Sequence, residues 1–196
     1  MEIEKKYRLT AAQRDDVLQR LKDAGAEDQG EEFEENTLYG GGSLDRGKSV
    51  LRLRRVGKKA LLTYKERFAG ESAVKRQRED ETAVEDPSAM ALILDAIGFK
   101  PVLVYEKRRQ TWKFGETEVV VDELPFGLFM EIEGDEGAID AAEQKLGIAG
   151  LPAEDATYPH LAEEHGERVG DVIEARFPKL APEFVESTVT IFVTSL

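Results

Sequence analysis

Three observations predict an antiparallel α+β fold, or a closed β-barrel, for this chain. Runs in which charged and apolar residues alternate, the period of a strand with one covered face, recur along the sequence. Short turns rich in glycine join consecutive runs as hairpins. Only a few helical stretches break the series, so strands dominate.

The first strand is read in "MEIEKKYRL", where Glu2, Glu4 and Lys6 take every second position and Ile3, Lys5 and Tyr7 lie between or beside them. The helix that follows, in "TAAQRDDVLQRLKDAGA", has Thr10 as its N-cap, an apolar stripe of Val17, Leu18 and Leu21, and Gly25 at its end. "EEFEENTLYG" reads as extended and is closed by the loop "GGGSLDRGKS". "VLRLRRV" and "KALLTYKERF" flank Gly57-Lys58, a hairpin signal. "AVKRQREDETAVED" alternates again before Pro87 opens a second helix, "PSAMALILDAIG", which Gly98 ends. Three further strands are read in "KPVLVYEKRRQTWKF", "ETEVVVDEL" and "GLFMEIEG", joined at Gly115 and at Pro125-Phe126-Gly127, and "DEGAIDAAEQKLG" is a third helix. Beyond Pro152, "YPHLAEEHGERVGDVIEARF" is expected to be helical, and the sequence closes on an apolar β-branched run, "TVTIFVTSL".

Of the 196 residues, 34% are charged and 41% hydrophobic, the balance of a globular protein in water. A net charge of −13 disfavours a general nucleic-acid or anionic-membrane binder, while leaving room for a local basic pocket. The lack of cysteine removes disulfides, thiolate metal sites and cysteine nucleophiles. No run is apolar enough to span a bilayer and "MEIEKKY" lacks the apolar core of a signal peptide, so a cytoplasmic protein with no membrane partner is expected.

The charged positions carry the functional reading. Arg52 and Arg54 share a face in "LRLR", Lys65 shares one with Leu61 and Thr63, and Glu79 pairs with Glu81. Lys107 pairs with Arg109, Asp122 follows "VVV", and Glu131 and Glu133 flank Ile132. One such pair ordinarily means a solvated sheet face. Together they differ from that pattern, because each pair is pure in sign, with acidic pairs opening and closing the series and basic pairs between. A barrel of about eight strands can hold one small ligand, and charges facing its interior would need partners. Grouped carboxylates suit hard divalent cations, and converging Arg and Lys suit phosphate oxygens. A metal-chelated polyphosphate answers both demands.

"EIEKK" resembles the E-x-E-x-K signature of the CYTH domain, the triphosphate-tunnel superfamily of class IV adenylate cyclases, thiamine triphosphatases and inorganic triphosphatases. "LRLR", Glu79 and Glu81, Lys107 and Arg109, Asp122, and Glu131 and Glu133 extend the resemblance in order. It covers about residues 1–165 and leaves 166–196 as a C-terminal tail with no assigned role. The resemblance implies an antiparallel eight-stranded β-barrel tunnel with helices packed outside. It implies that Glu2, Glu4, Glu131 and Glu133 hold a catalytic Mg²⁺ or Mn²⁺, and that Glu79, Glu81 and Asp122 help bind a second ion or position water. Lys6, Arg52, Arg54, Lys65, Lys107 and Arg109 would grip the triphosphate. In some members a motif lysine acts with a tyrosine in handling water, and Lys6 and Tyr39 are the candidates here. Gln77 departs from the pattern, since an arginine often stands there, two positions before Glu79. Arg76 and Arg78 alternate to the other face unless a bulge shifts the register.

The activity implied is metal-dependent hydrolysis of a small triphosphate (tripolyphosphate, thiamine triphosphate or a nucleoside triphosphate) by in-line attack of water. The alternative is a class IV adenylate cyclase converting ATP to cyclic AMP and pyrophosphate, the branch that "VYEKRRQTW" and "VVVDELPFGLFMEIEG" resemble. A non-catalytic polyphosphate binder would have no need of the acidic wall. The expected partner is the triphosphate and not nucleic acid, and a homodimer is compatible with the sequence. His160 and His165, five apart, are read as surface residues, and "GGGS" as a hairpin connection lacking the Gly-Lys-Ser/Thr ending of a phosphate loop. Trp112, Phe126 and Phe129 are read as packing residues, and Lys5 and Arg55 as outward-facing.

Overall fold

A computed structural model describes residues 3–45, 47–68 and 76–178. Glu2 and the run "TVTIFVTSL" lie outside the described residues. The main strands are β1 (Ile3–Leu9), β2 (Glu27–Gly41), β3 (Ser49–Val56), β4 (Lys59–Phe68), β5 (Arg76–Ala83), β6 (Phe99–Phe114), β7 (Thr117–Leu124) and β8 (Gly127–Gly134). The helices are α1 (Ala11–Asp23), α2 (Pro87–Ala96), α3 (Glu136–Leu146) and α4 (Tyr158–His165). Two short strands follow, β9 (Glu167–Val169) and β10 (Val172–Ala175).

The main strands pair antiparallel in the order β1-β8-β7-β6-β2-β3-β4-β5. The two ends of that series, β1 and β5, do not pair with each other, so the expected eight antiparallel strands form a tunnel-like trough whose sheet is not closed among the described residues. Part of the free edge of β1 is taken by the chain after α3. There the Glu154 N–H donates to the Lys6 carbonyl at 2.7 Å, and Tyr7 bridges to Ala153.

Alternation gives the sheet two unlike faces. On the convex face Tyr7, Leu9, Trp112, Phe114, Val119, Val121, Met130 and Ile132 pack against Val17 and Leu21 of α1 and Ile139, Ala142 and Leu146 of α3. A second convex core joins Tyr39, Leu51 and Leu53 to Leu94 of α2. Local chemistry sets the helix ends as read: Thr10 and Gln13 form a capping box, Asp86 caps a helix opened by Pro87, and Gly147 ends α3 in the left-handed region at φ 68°. The concave face is charged except at one end, where Leu38, Leu103, Tyr105 and Phe129 pack under Tyr158, Leu161 and Ala162 of α4.

Past Pro152 the expectation of continuous helix is corrected. The helix stops at His165, and the residues after Gly166 form a β-hairpin whose turn has Gly170 at φ 62°. β10 then pairs parallel with Leu103–Tyr105 of β6. That stretch offers an open edge because β7 pairs with β6 only from Arg108 onward. The hairpin is locked beyond β10 by Arg176, whose guanidinium donates to Glu35, Glu106 and Glu174.

Phe129 has no exposed surface and meets both Phe126 and Tyr158 edge-on. Phe129→Ala is expected to cost about 3–5 kcal/mol of stability, read as a lower urea midpoint with unchanged slope.

Candidate active site

Register decides which side chains meet on the concave face. Lys6 lies opposite Glu131, Arg109 opposite Asp122, and Glu34 opposite Lys107. Asn36 lies opposite Arg54, Arg52 opposite Thr63, and Lys65 opposite Glu79. A cavity of about 540 Å³ stands over them. Its lining includes Glu4, Lys6, Arg52, Arg54, Lys65, Lys107, Arg109 and Glu131, with Tyr158 and His160 contributed by α4.

Asp122 is the floor. It is 0% exposed and accepts both arms of Arg109, Nε to Oδ1 at 2.8 Å and an Nη to Oδ2 at 2.6 Å. The Tyr158 phenol donates to Oδ2 at 2.7 Å, and the Lys107 ammonium lies 3.6 Å away. Burial by itself would raise the Asp122 pKa, but Arg109, Lys107 and Tyr158 outweigh it and hold the carboxyl below its ordinary range. Glu34, buried on β2, is treated alike: burial pushes up, and Lys107 at 3.4 Å and Arg54 at 3.6 Å pull its pKa down further. Lys107 sits between these two carboxylates, yet its own burial wins and lowers its pKa.

The β3–β4 wall has a different balance. Arg54 has Asn36 at 3.1 Å and Lys65 has Glu79 at 3.0 Å. Arg52 reaches only neutral groups: Thr63 at 3.4 Å, itself donating to Glu81 at 2.7 Å, and the Tyr105 phenol. Among the described residues no carboxylate pairs with Arg52, and its buried Nε has no hydrogen-bond partner. Burial, then repulsion from Arg54, lowers its pKa.

The acidic side is formed by β1 and β8. Glu131 donates nothing and accepts from Arg109 at 2.5 Å, with Lys6 at 3.9 Å. Burial, with Asp122 and Glu4 nearby, nonetheless raises its pKa against the pull of Arg109. A carboxylate crowded by carboxylates is relieved by a cation, so the donor chemistry of Glu4 and Glu131 fits a hard divalent ion. Glu133 lies opposite Glu4 in the ladder. Among the described residues, no three acidic or histidine side chains converge closely enough to hold an ion by themselves.

The model of the CYTH domain matches residues 1–156. The chain is a CYTH protein. A Methanocaldococcus jannaschii protein named "Putative adenylate cyclase" is 28% identical over 134 residues, which are 67% of this chain and 76% of that one. A solved structure from Pyrococcus horikoshii OT3 superposes with a TM-score of 0.68 at 26% identity, covering 82% of this chain and 99% of the other. A Hippeastrum protein, described as a "putative adenylyl cyclase" that "reveals a dominant" triphosphatase activity, shares the fold with a TM-score of 0.60 at 20% identity, over 81% and 93% of the two chains.

This CYTH trough brings together Glu4, Lys6, Arg52, Arg54, Lys65, Lys107, Arg109 and Glu131 around one cavity. Glu79 and Glu81 stand at the β5 edge, bonded to Lys65 and Thr63. Asp122 lies beneath the cavity, enclosed by its donors. Tyr39 borders the cavity, but it packs into the convex core with Leu51, Leu53 and Leu94, away from Asn36 on β2. Gln77 lies opposite Arg67 in the β4–β5 ladder. His165 stacks on Phe126, and His160 is exposed as read while also lining the cavity. Sequence reasoning passed over Glu34, Asn36 and Tyr158, while Tyr105 continues the face of Lys107 and Arg109 as the alternation predicts. The alternation of Glu34, Asn36 and Leu38 was the available signal for the first two; Tyr158 had none.

Asp122→Asn is expected to destabilise the protein by about 3–5 kcal/mol, because Arg109 and Lys107 remain buried without their counter-charge. The Asp122 and Glu34 carboxyls titrate near 3.9 and 4.3 when unfolded and lower when folded. Their contribution to stability is therefore complete above about pH 5 and is lost as pH falls through the folded-state values. Urea midpoints measured from pH 7 to pH 3 should fall less steeply in Asp122→Asn than in the wild type.

Proposed function

We propose that this CYTH protein hydrolyses a small triphosphate with a divalent cation as cofactor. The observation that carries the reading is Arg52, a largely buried guanidinium with an unpartnered Nε beside Arg54 and above the cavity. Two adjacent cations in a partly desolvated wall, without a carboxylate for one of them, are stabilised by a polyanion. Arg52, Arg54 and Lys65 would grip phosphate oxygens from one wall, and Lys107 and Arg109 would present positive charge from the floor. A Mg²⁺ or Mn²⁺ held by Glu4, Glu131 and Glu133, together with Glu2, would supply a Lewis acid for the phosphoryl oxygens and for water. Lys6, at the cavity, is the candidate for proton handling, and Tyr39, its suggested partner, borders the cavity while packing with Leu51, Leu53 and Leu94.

Cyclisation, the second reading, needs a seat for adenine with water kept from the α-phosphorus. Leu38, Val50, Val102 and Pro159 supply an apolar shelf in the same cavity, which would suit a base or another organic group.

Incubation with Mn²⁺ and tripolyphosphate, followed by phosphorus NMR, is expected to yield orthophosphate and pyrophosphate, and ATP to yield ADP and orthophosphate. Cyclic AMP with pyrophosphate from ATP would replace this reading by the cyclase. Arg52→Ala should raise KM about ten- to a hundredfold, the loss of a charge-assisted hydrogen bond. Glu4→Gln should abolish the metal-dependent turnover.

A further inference from the structure

We propose that Tyr158 is a positioning residue of this site: by fastening α4 to the floor of the trough, it sets the direction in which Lys6, Lys107 and Arg109 face a bound polyanion. The inference rests on the triphosphatase reading for the reaction, though not for the binding.

Tyr158 opens α4 immediately after the N-cap Thr157 and before Pro159, so its backbone is set by the first helical turn. Its phenol donates to Asp122 Oδ2, the oxygen that also accepts Arg109 at 2.6 Å. The phenol and the guanidinium share that oxygen, and the two-armed pairing of Arg109 with Asp122 orients the guanidinium plane. In that orientation the same Nη continues to Glu131 at 2.5 Å. The ring does the second part. The Lys6 ammonium lies 4.6 Å from its centroid and that of Lys107 lies 5.3 Å away, so two like charges share one electron-rich ring. Lys6 is held in place from the other side by the Ala156 carbonyl at 2.8 Å, two residues before Tyr158. The entry to α4 and the cationic floor are thus one mechanical unit. Tyr158 carries no charge to offer a phosphate, and it acts through the groups it holds.

A structural wedge is the competing account, because the same ring packs edge-on against Phe129 in the concave core. Tyr158→Phe keeps the ring and removes the phenol, whereas Tyr158→Leu removes both. Two readouts separate the accounts: the calorimetric Kd for tripolyphosphate without added metal, and kcat and KM for tripolyphosphate with Mn²⁺, each per folded molecule. Tyr158→Phe is expected to bind within about twofold of the wild type while kcat falls about tenfold, the phenol–carboxylate bond having been lost. Tyr158→Leu is expected to weaken binding about tenfold as well. Lower melting temperatures with unchanged Kd, kcat and KM would overturn the proposal, as would a Phe variant that binds as poorly as the Leu variant. If the Leu variant does not fold, the kcat of the Phe variant decides. A wild type that binds tripolyphosphate but does not turn it over refutes the hydrolase reading alone. The Kd values of the two variants then judge Tyr158, and equal values overturn it. No binding by the wild type overturns both.

Discussion

A carboxylate with no exposed surface survives only while donors surround it, and the whole concave face is arranged around that demand at Asp122. Arg109 meets it with both arms, Tyr158 meets it from α4, and Lys107 adds charge from the same strand as Arg109. The constraint reaches the sheet itself. A slip of one residue between β6 and β7 would turn Asp122 into the convex core beside Trp112, send Val119 and Val121 to the concave face, and leave Arg109 on the concave side alone. The charges therefore enforce the register as much as the apolar face does, from the opposite side of the strands.

Charge balance changes across the trough, and that gradient gives the cavity its chemistry. In the floor, Asp122 and Glu34 are set against Lys107 and Arg109, each within ion-pair distance of at least one partner. That region is neutral as built. On β3 the balance tips, because Arg52 hydrogen-bonds only to the hydroxyls of Thr63 and Tyr105, and the Glu34 carboxylate acts on it from beyond ion-pair distance. On β1 and β8 it tips the other way, where burial and neighbouring acids raise the Glu131 pKa. A cavity neutral at its centre, cationic on one wall and acidic on the other matches a ligand with opposite charges at its two sides. A polyphosphate chelating a metal ion is such a ligand.

Much of this was legible because strand periodicity is local. Arg52, Arg54, Lys107, Arg109 and Glu131 declare their face through neighbours two positions away, and the structure keeps them on one face. Where both parities carry the same residue type the signal weakens: Glu31, Glu32, Glu34 and Glu35 follow one another, so only the alternation onward to Asn36 and Leu38 marks Glu34 as the buried one. Tyr39 shows the limit of choosing by residue type. The phenols at the floor belong to Tyr105 and Tyr158, and parity sends Tyr39 to the other core. Barrel closure and the β9–β10 hairpin were beyond local reading for the same reason. One depends on whether two strands far apart in sequence meet, the other on an edge that β7 leaves uncovered on β6.

The net charge of −13 bears on which polyanions can use this cavity. At physiological ionic strength the Debye length is about 8 Å, so most exposed carboxylates act on an approaching anion only near the surface, while Arg52 and Arg54 act at close range in a partly desolvated wall. A long nucleic acid would lie mainly along the repulsive exterior and would reach the cavity with a small part of its charge. A small triphosphate can place all of its charge inside. One that arrives with part of that charge neutralised by a divalent cation meets less repulsion on the way in, and it brings the cation that the Glu4 and Glu131 side accommodates. On the proposed function, the acidic exterior and the cationic wall act toward the same ligand, small, highly charged and chelated, and against larger polyanions.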